Sequence, residues 1–170
     1  MNAPAIDFYH SLLKDDLAYD AIDKLARGTE QHGLSFGGRP ICTVLRPMFI
    51  EAARYEIVRR DSALVLSAIG KTLRAVLEDA RLRAELDLTS EEEQLVAIEP
   101  GYRAPDASGR LDAFLGPGDE FRFVEYNADS PGGLLFGDVL SEVFLEMDIM
   151  REFASRHPVR RIDVRANLLR

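Results

Sequence analysis

The apolar positions of this chain fall first into helical stripes. Phe8, Leu12, Leu13, Leu17, Ile22 and Leu25 recur at steps of three to five with acids between them, which predicts one amphipathic helix over residues 5–27. A second helical run follows Pro47, a residue that a helix accepts in its first turn, and extends to about residue 60. Asp61 or Ser62 then reads as the cap of a longer helix to about residue 86, with Leu66, Ile69, Leu73, Val76, Leu77 and Ala80 as its stripe. Thr89 to Glu93 holds two overlapping capping-box patterns and predicts a short helical turn. After Gly132-Gly133, Leu135, Val139, Leu140, Val143, Phe144 and Met147 predict one strong helix to about residue 154.

Between these stripes the period changes to two. Residues 109–115 and 121–127 alternate around Gly116-Pro-Gly-Asp119, whose composition suits a tight connection, and so predict a β-hairpin. Residues 41–45 and 95–98 are short strand candidates. Residues 33–40 read as a connector, because their glycine spacing matches neither phosphate-binding fingerprint. The basic tail 159–170 reads as the first turn of a further helix. The expected fold is α+β: a mainly helical region over 1–100, a hairpin and a long C-terminal helix over 101–155, and a tail over 156–170, in one compact domain.

Composition narrows the function. A length of 170 residues allows one domain with a real core. The net charge of −8 argues against a nucleic-acid surface while leaving room for a local nucleotide site. Cys42 is the single cysteine, which excludes an internal disulfide and a cysteine-based zinc site; within its apolar run it reads as an inert thiol. His10, His32 and His157 match no zinc spacing. No signal peptide is visible, and no window approaches the roughly 18 apolar residues of a membrane span. The expectation is a cytoplasmic protein without membrane or nucleic-acid partners.

The chemistry concentrates on the hairpin. Strand parity puts Arg110 and Asp112 on one face, and Glu125 and Asn127 on one face. A turn centred on Pro117-Gly118 would set Arg110 opposite Glu125 and Asp112 opposite Phe123. Asp112 would then be diagonal to Glu125, with Phe121 and Phe123 marking the same side as buried. Strands about 4.8 Å apart and same-face residues about 6.7 Å apart would let Asp112, Glu125 and Asn127 reach one ion. Their all-oxygen chemistry suits a hard cation, magnesium above all, and Arg110 could grip a phosphate or carboxylate. Where residues 127–133 enter the next helix, free N–H groups and the Ser130 hydroxyl would favour an anion. The simpler alternative is an Arg–Glu cross-strand pair, with Asp129 or Ser130 capping that helix.

The run Phe-Val-Glu125-Tyr-Asn127-Ala-Asp129-Ser130-Pro-Gly, preceded by Arg110-Leu-Asp112, resembles the circularly permuted ATP-grasp family, and within it the branch typified by glutathionylspermidine synthase. The likeness covers about residues 101–155. It implies that Asp112, Glu125 and Asn127 hold magnesium (Mg2+) under the phosphates of ATP, that Arg110 serves the phosphate or acyl phosphate as a catalytic residue, and that Ser130 helps bind substrate. The implied reaction joins a small carboxylate to an amine. Two places beyond Ser130 the family synthase carries a second hydroxyl residue where this chain has Gly132, so a peptide-thiol substrate is not implied. The family's adenine pocket, phosphate loop and nucleotide-contacting lysines lie downstream of this motif, and here only Lys14, Lys24 and Lys71 occur. The expectation is therefore an N-terminal fragment of a ligase that supplies the magnesium and phosphate half of a site, inactive alone and prone to self-association. The alternative is a non-catalytic acidic interaction or structural domain.

Overall fold

A computed structural model of the chain describes residues 3–101, 108–116, 118, 120–129 and 131–168. Among them the elements are α1 (Ala3–Leu12), α2 (Asp15–Gln31), β1 (Ser35–Phe36), β2 (Arg39–Pro40), α3 (Ala52–Glu78), α4 (Ala80–Ala84), α5 (Ser90–Val96), β3 (Arg110–Leu115), β4 (Phe121–Asn127), α6 (Phe136–Leu145), α7 (Asp148–Ala154) and α8 (Val164–Leu168). The class is mixed α+β, with two separate two-stranded antiparallel sheets. The chain divides into two compact units. One comprises Met1–Glu51, Gly116–Glu120 and Ser130–Arg170, and the other Ala52–Leu115 and Phe121–Asp129. None of the described helices is long and apolar enough to cross a membrane.

The first unit holds the core. Ala5 and Tyr9 of α1, Ala21 and Leu25 of α2, Val143 and Phe144 of α6, and Ile149, Met150 and Phe153 of α7 close on one another with Met147. The single helix expected over 5–27 is two helices. Lys14 is extended (φ −149°, ψ 161°), and the Leu13 and Lys14 N–H groups turn back to the His10 and Leu12 carbonyls. Breaking there lets α1 and α2 both lay an apolar face on α7, which a straight rod could not do.

The long helix expected to 154 also breaks, at Glu146-Met147, and the cause is tertiary. The Lys24 ammonium donates to the Glu146 carbonyl (2.9 Å) and to Asp148 Oδ1 (2.8 Å), and Asp20 Oδ2 accepts the Asp148 N–H (2.9 Å). Asp20 and Lys24 lie one turn apart on α2. Together they satisfy backbone groups that a broken helix would otherwise leave unpaired. Residues 33–40, expected as a connector, form the β1–β2 hairpin. Gly37 and Gly38 sit at its tip with φ of 58° and 75°, the left-handed pair that a type I′ turn requires. Residues 41–45 form no strand; the Leu45 carbonyl accepts instead from the Tyr9 hydroxyl (2.8 Å). Burial pushes that phenol up to about 12, against the opposing charge of Arg46, so it remains a donor.

The tail does form a short helix, α8, and α6 caps it. Buried Asp138 accepts from the Val164 N–H (3.0 Å) and the Arg165 N–H (2.8 Å). Burial alone would raise its carboxyl pKa, but the Arg165 and Val164 N–H bonds and the Arg161 and Arg165 charges outweigh burial and hold it below the usual range. Because the folded pKa is lowered, this contribution is complete above the ordinary carboxylate pKa and fades as pH falls through the lowered one. Asp138→Ala should cost about 1–2 kcal/mol, and amide exchange should rise first at residues 164–168. Unchanged exchange there would show that α8 does not depend on this cap.

In the second unit, α3 is one helix of 27 residues. Asp61 and Ser62, expected as a cap, lie in its interior, and Pro47 precedes it outside. Cap-type residues cost little within a long run of good helix formers. Asp79 caps α4 through the Arg81 N–H (2.8 Å), and Thr89 with Glu92 forms the expected capping box of α5. That box extends the helix through Leu95 and Val96. The strand candidate 95–98 is therefore a helix end, with the Ala97 and Ile98 N–H groups donating to the Glu93 and Leu95 carbonyls.

Candidate functional site

The hairpin β3–β4 forms where the period-two pattern places it, but in a different register. Arg110 pairs with Asn127, Leu111 with Tyr126 and Asp112 with Glu125; beyond a bulge, Ala113 pairs with Phe123 and Leu115 with Phe121. Two local features cause the shift from the expected pairing. The tip is a five-residue loop closed by the Gly116 N–H donating to the Glu120 carbonyl, with Gly118 at φ 61°, so its centre is Gly118 rather than the Pro117-Gly118 bond. Val124 then has no partner across the ladder, adding one more residue of offset. Pro117 itself lies outside the described residues.

The bulge corrects the expected setting of the site. Arg110, Asp112, Glu125 and Asn127 do share one face, since directly paired residues of an antiparallel ladder point the same way. Phe123 and Phe121 pair with Ala113 and Leu115 on the opposite face, where their rings pack edge to face at 4.5 Å. The polar quartet is therefore not at the end of a core-facing row: the Arg110 and Asp112 side chains are 39% and 38% exposed, and Glu125 is exposed.

Within the quartet, forked and single hydrogen bonds run along the strands. Arg110 Nε donates to Asp112 Oδ1 (2.6 Å) and its Nη2 to Asp112 Oδ2 (3.2 Å), a forked pair. Asn127 Nδ2 donates to Glu125 Oε1 (2.9 Å). The Arg110 hydrogen bonds hold the Asp112 carboxyl below the usual carboxylate range, against partial burial, and Glu125 lies within hydrogen-bonding reach of Asp112. The Arg110 guanidinium is held more firmly protonated, chiefly by its bond to Asp112. Arg110 thus bonds Asp112 within β3 and also lies in the field of Glu125 across the ladder.

The expected anion site at a helix start does not follow Asn127 directly. Residues 132–135 are turns, Gly133 has φ 77°, and α6 begins only at Phe136. Ser130 lies outside the described residues. One supporting residue escaped the sequence reading. A Cβ on Gly109 would come 2.4 Å from the Tyr126 hydroxyl oxygen, so Gly109 gives Tyr126 room to lie across the start of β3. A glycine immediately before the Arg-x-Asp strand was the available signal. Among the described residues no group of three or more His, Cys, Asp or Glu side chains is arranged to hold a metal; the quartet, with two carboxylates and an amide, is of another kind. No family model matches the chain, and no curated protein or solved structure matches it.

Proposed function

We propose that the β3–β4 hairpin binds a divalent cation and a phosphate, as the magnesium half of an ATP-dependent carboxylate–amine ligase site of the permuted ATP-grasp kind. The observation that carries this reading is the direct pairing of Asp112 with Glu125. Like charges facing each other across a ladder are destabilising, and here one guanidinium serves two carboxylates. The donor set of two carboxylates and an amide oxygen fits a hard cation. Asp112, Glu125 and Asn127 would hold it, and magnesium, when bound, supplies neutralisation of charge on a transferring phosphate. Arg110 then turns from Asp112 to the anion, for which its planar fork is suited. Ser130 is assigned to the substrate, a small carboxylate or the amine that attacks it.

The resting contacts favour a second reading. Arg110 occupies both oxygens of Asp112, and Asn127 already bonds Glu125, so the quartet also works as a polar strap on a non-catalytic acidic interaction domain. Equilibrium dialysis with inorganic tripolyphosphate, which needs no adenine pocket, separates the two. The ligase-like reading expects tripolyphosphate binding that requires magnesium and falls about tenfold or more in Arg110→Gln, the loss of a charge-assisted phosphate contact. Failure of tripolyphosphate to bind, or binding indifferent to magnesium, supports the strap.

A further inference from the structure

The first unit contains a cavity that shares no residue with the β3–β4 hairpin. It opens between one face of α2 and the segment that follows it, and its volume is about 700 Å³, within the range that holds a small organic ligand. Its apolar wall is built by Ile22, Leu25 and Ala26 of α2 with Pro40 and Leu45. Ile22 belongs to the apolar stripe of α2, yet it is 52% exposed: the stripe is wider than the core covers, and the surplus faces this cavity. The Thr29 hydroxyl, also in the wall, is turned back to the Leu25 carbonyl at 2.6 Å and presents no free donor.

One charge borders this space. Glu30, in the last turn of α2, is the charged residue among the described lining residues, and no ion pair of its carboxylate is found among the described residues. The nearby Arg27 is taken by Asp23 one turn earlier. The carbonyl end of α2 adds partial negative charge beside it. We infer that this cavity binds an amphiphilic amine: a small apolar body against Ile22, Leu25, Ala26, Pro40 and Leu45, with its ammonium group at Glu30. An apolar wall selects the body by burial, and an unpaired carboxylate at the end of the helix selects a cation over a neutral or anionic head.

Cys42 lines the same cavity and is the chain's single thiol, so its alkylation reports occupancy. The experiment follows iodoacetamide labelling of Cys42 by mass spectrometry in the whole chain, with octylamine, octanol or octanoate added at equal concentrations below micelle formation. Octylamine is expected to slow labelling and raise the melting temperature, octanol to do so several-fold more weakly, and octanoate least. Glu30→Gln should remove the advantage of octylamine over octanol. Ala26 is exposed and lines the space, so Ala26→Phe should fill it and abolish protection at unchanged helix content; Ala26→Leu, a smaller filler, should do so in part and serves if the larger one fails to fold. Equal protection by octanoate and octylamine would overturn the charge assignment. Protection unchanged in both Ala26 variants, or none in the wild type, would overturn the site. Cys42 that is inert at every protein concentration, or protected only as protein concentration rises, would show the cavity closed or covered by another copy, and would overturn it as well.

Discussion

Phe153→Ala should destabilise the first unit by about 3–5 kcal/mol. Phe153 is 1% exposed and stands at the centre of an aromatic cluster. Its ring stacks on Phe49 at 4.6 Å and on His157 at 5.0 Å, meets Tyr9 edge-on at 5.4 Å and lies 6.0 Å from Phe8. These partners come from α1, from the segment before α3 and from the turn after α7, so truncation opens a void that no single neighbour can fill. Phe36 is the control: it is 82% exposed, and Phe36→Ala should stay within about 0.5 kcal/mol of the wild type. Denaturant unfolding followed by tyrosine fluorescence measures both. A loss below about 1 kcal/mol for Phe153→Ala would show that the core is not organised around this ring.

The second large effect concerns Gly28. A Cβ there would sit 2.7 Å from both methyl groups of Val143 and 3.3 Å from its Cβ. Val143 is itself buried, so it has little room to withdraw. Replacing a mid-helix glycine by alanine is ordinarily worth about 1 kcal/mol of stability, while overpacking of this kind costs about 1–3 kcal/mol. Gly28→Ala should therefore be neutral to destabilising rather than stabilising, and Gly28→Leu more damaging still. In a Val143→Ala background the obstructing methyls are gone, and the same Gly28→Ala change should turn stabilising. A double-mutant cycle should thus show a coupling of about 1–3 kcal/mol. Additive effects would show that α2 and α6 do not approach closely at this point.

What could be read from the sequence was local. The period-two runs with Gly116 and Gly118 between them were enough for the β3–β4 hairpin, and Thr89 with Glu92 was enough for the start of α5. The face shared by Arg110, Asp112, Glu125 and Asn127 was legible because parity survives a shift of two residues in register. The bulge at Val124 was not legible. It carries no glycine or proline, and it moved Phe121 and Phe123 to the other face, leaving the quartet on a more open surface than expected. The two helix breaks were equally invisible. The apolar stripe runs on through residues 13–14 and 146–147, and the second break is held by Lys24 and Asp20, more than 120 residues away. The Gly37-Gly38 turn residues stand in the sequence, but the flanking strands are only two residues long, too short to show an alternating pattern.

If the β3–β4 quartet is a cation site, it should bind manganese as well as magnesium. Manganese binding followed by electron paramagnetic resonance, on the wild type, Asp112→Asn and Glu125→Gln, tests it most directly. These substitutions keep shape and remove one charge each. The wild type should bind one manganese ion weakly, since phosphate oxygens are needed to complete the shell, and magnesium should compete for the same site. Each variant should bind about tenfold more weakly or worse. Manganese binding that is equal in all three proteins would contradict the assignment, as would its absence from the wild type, and would leave the hairpin an ion-paired strap.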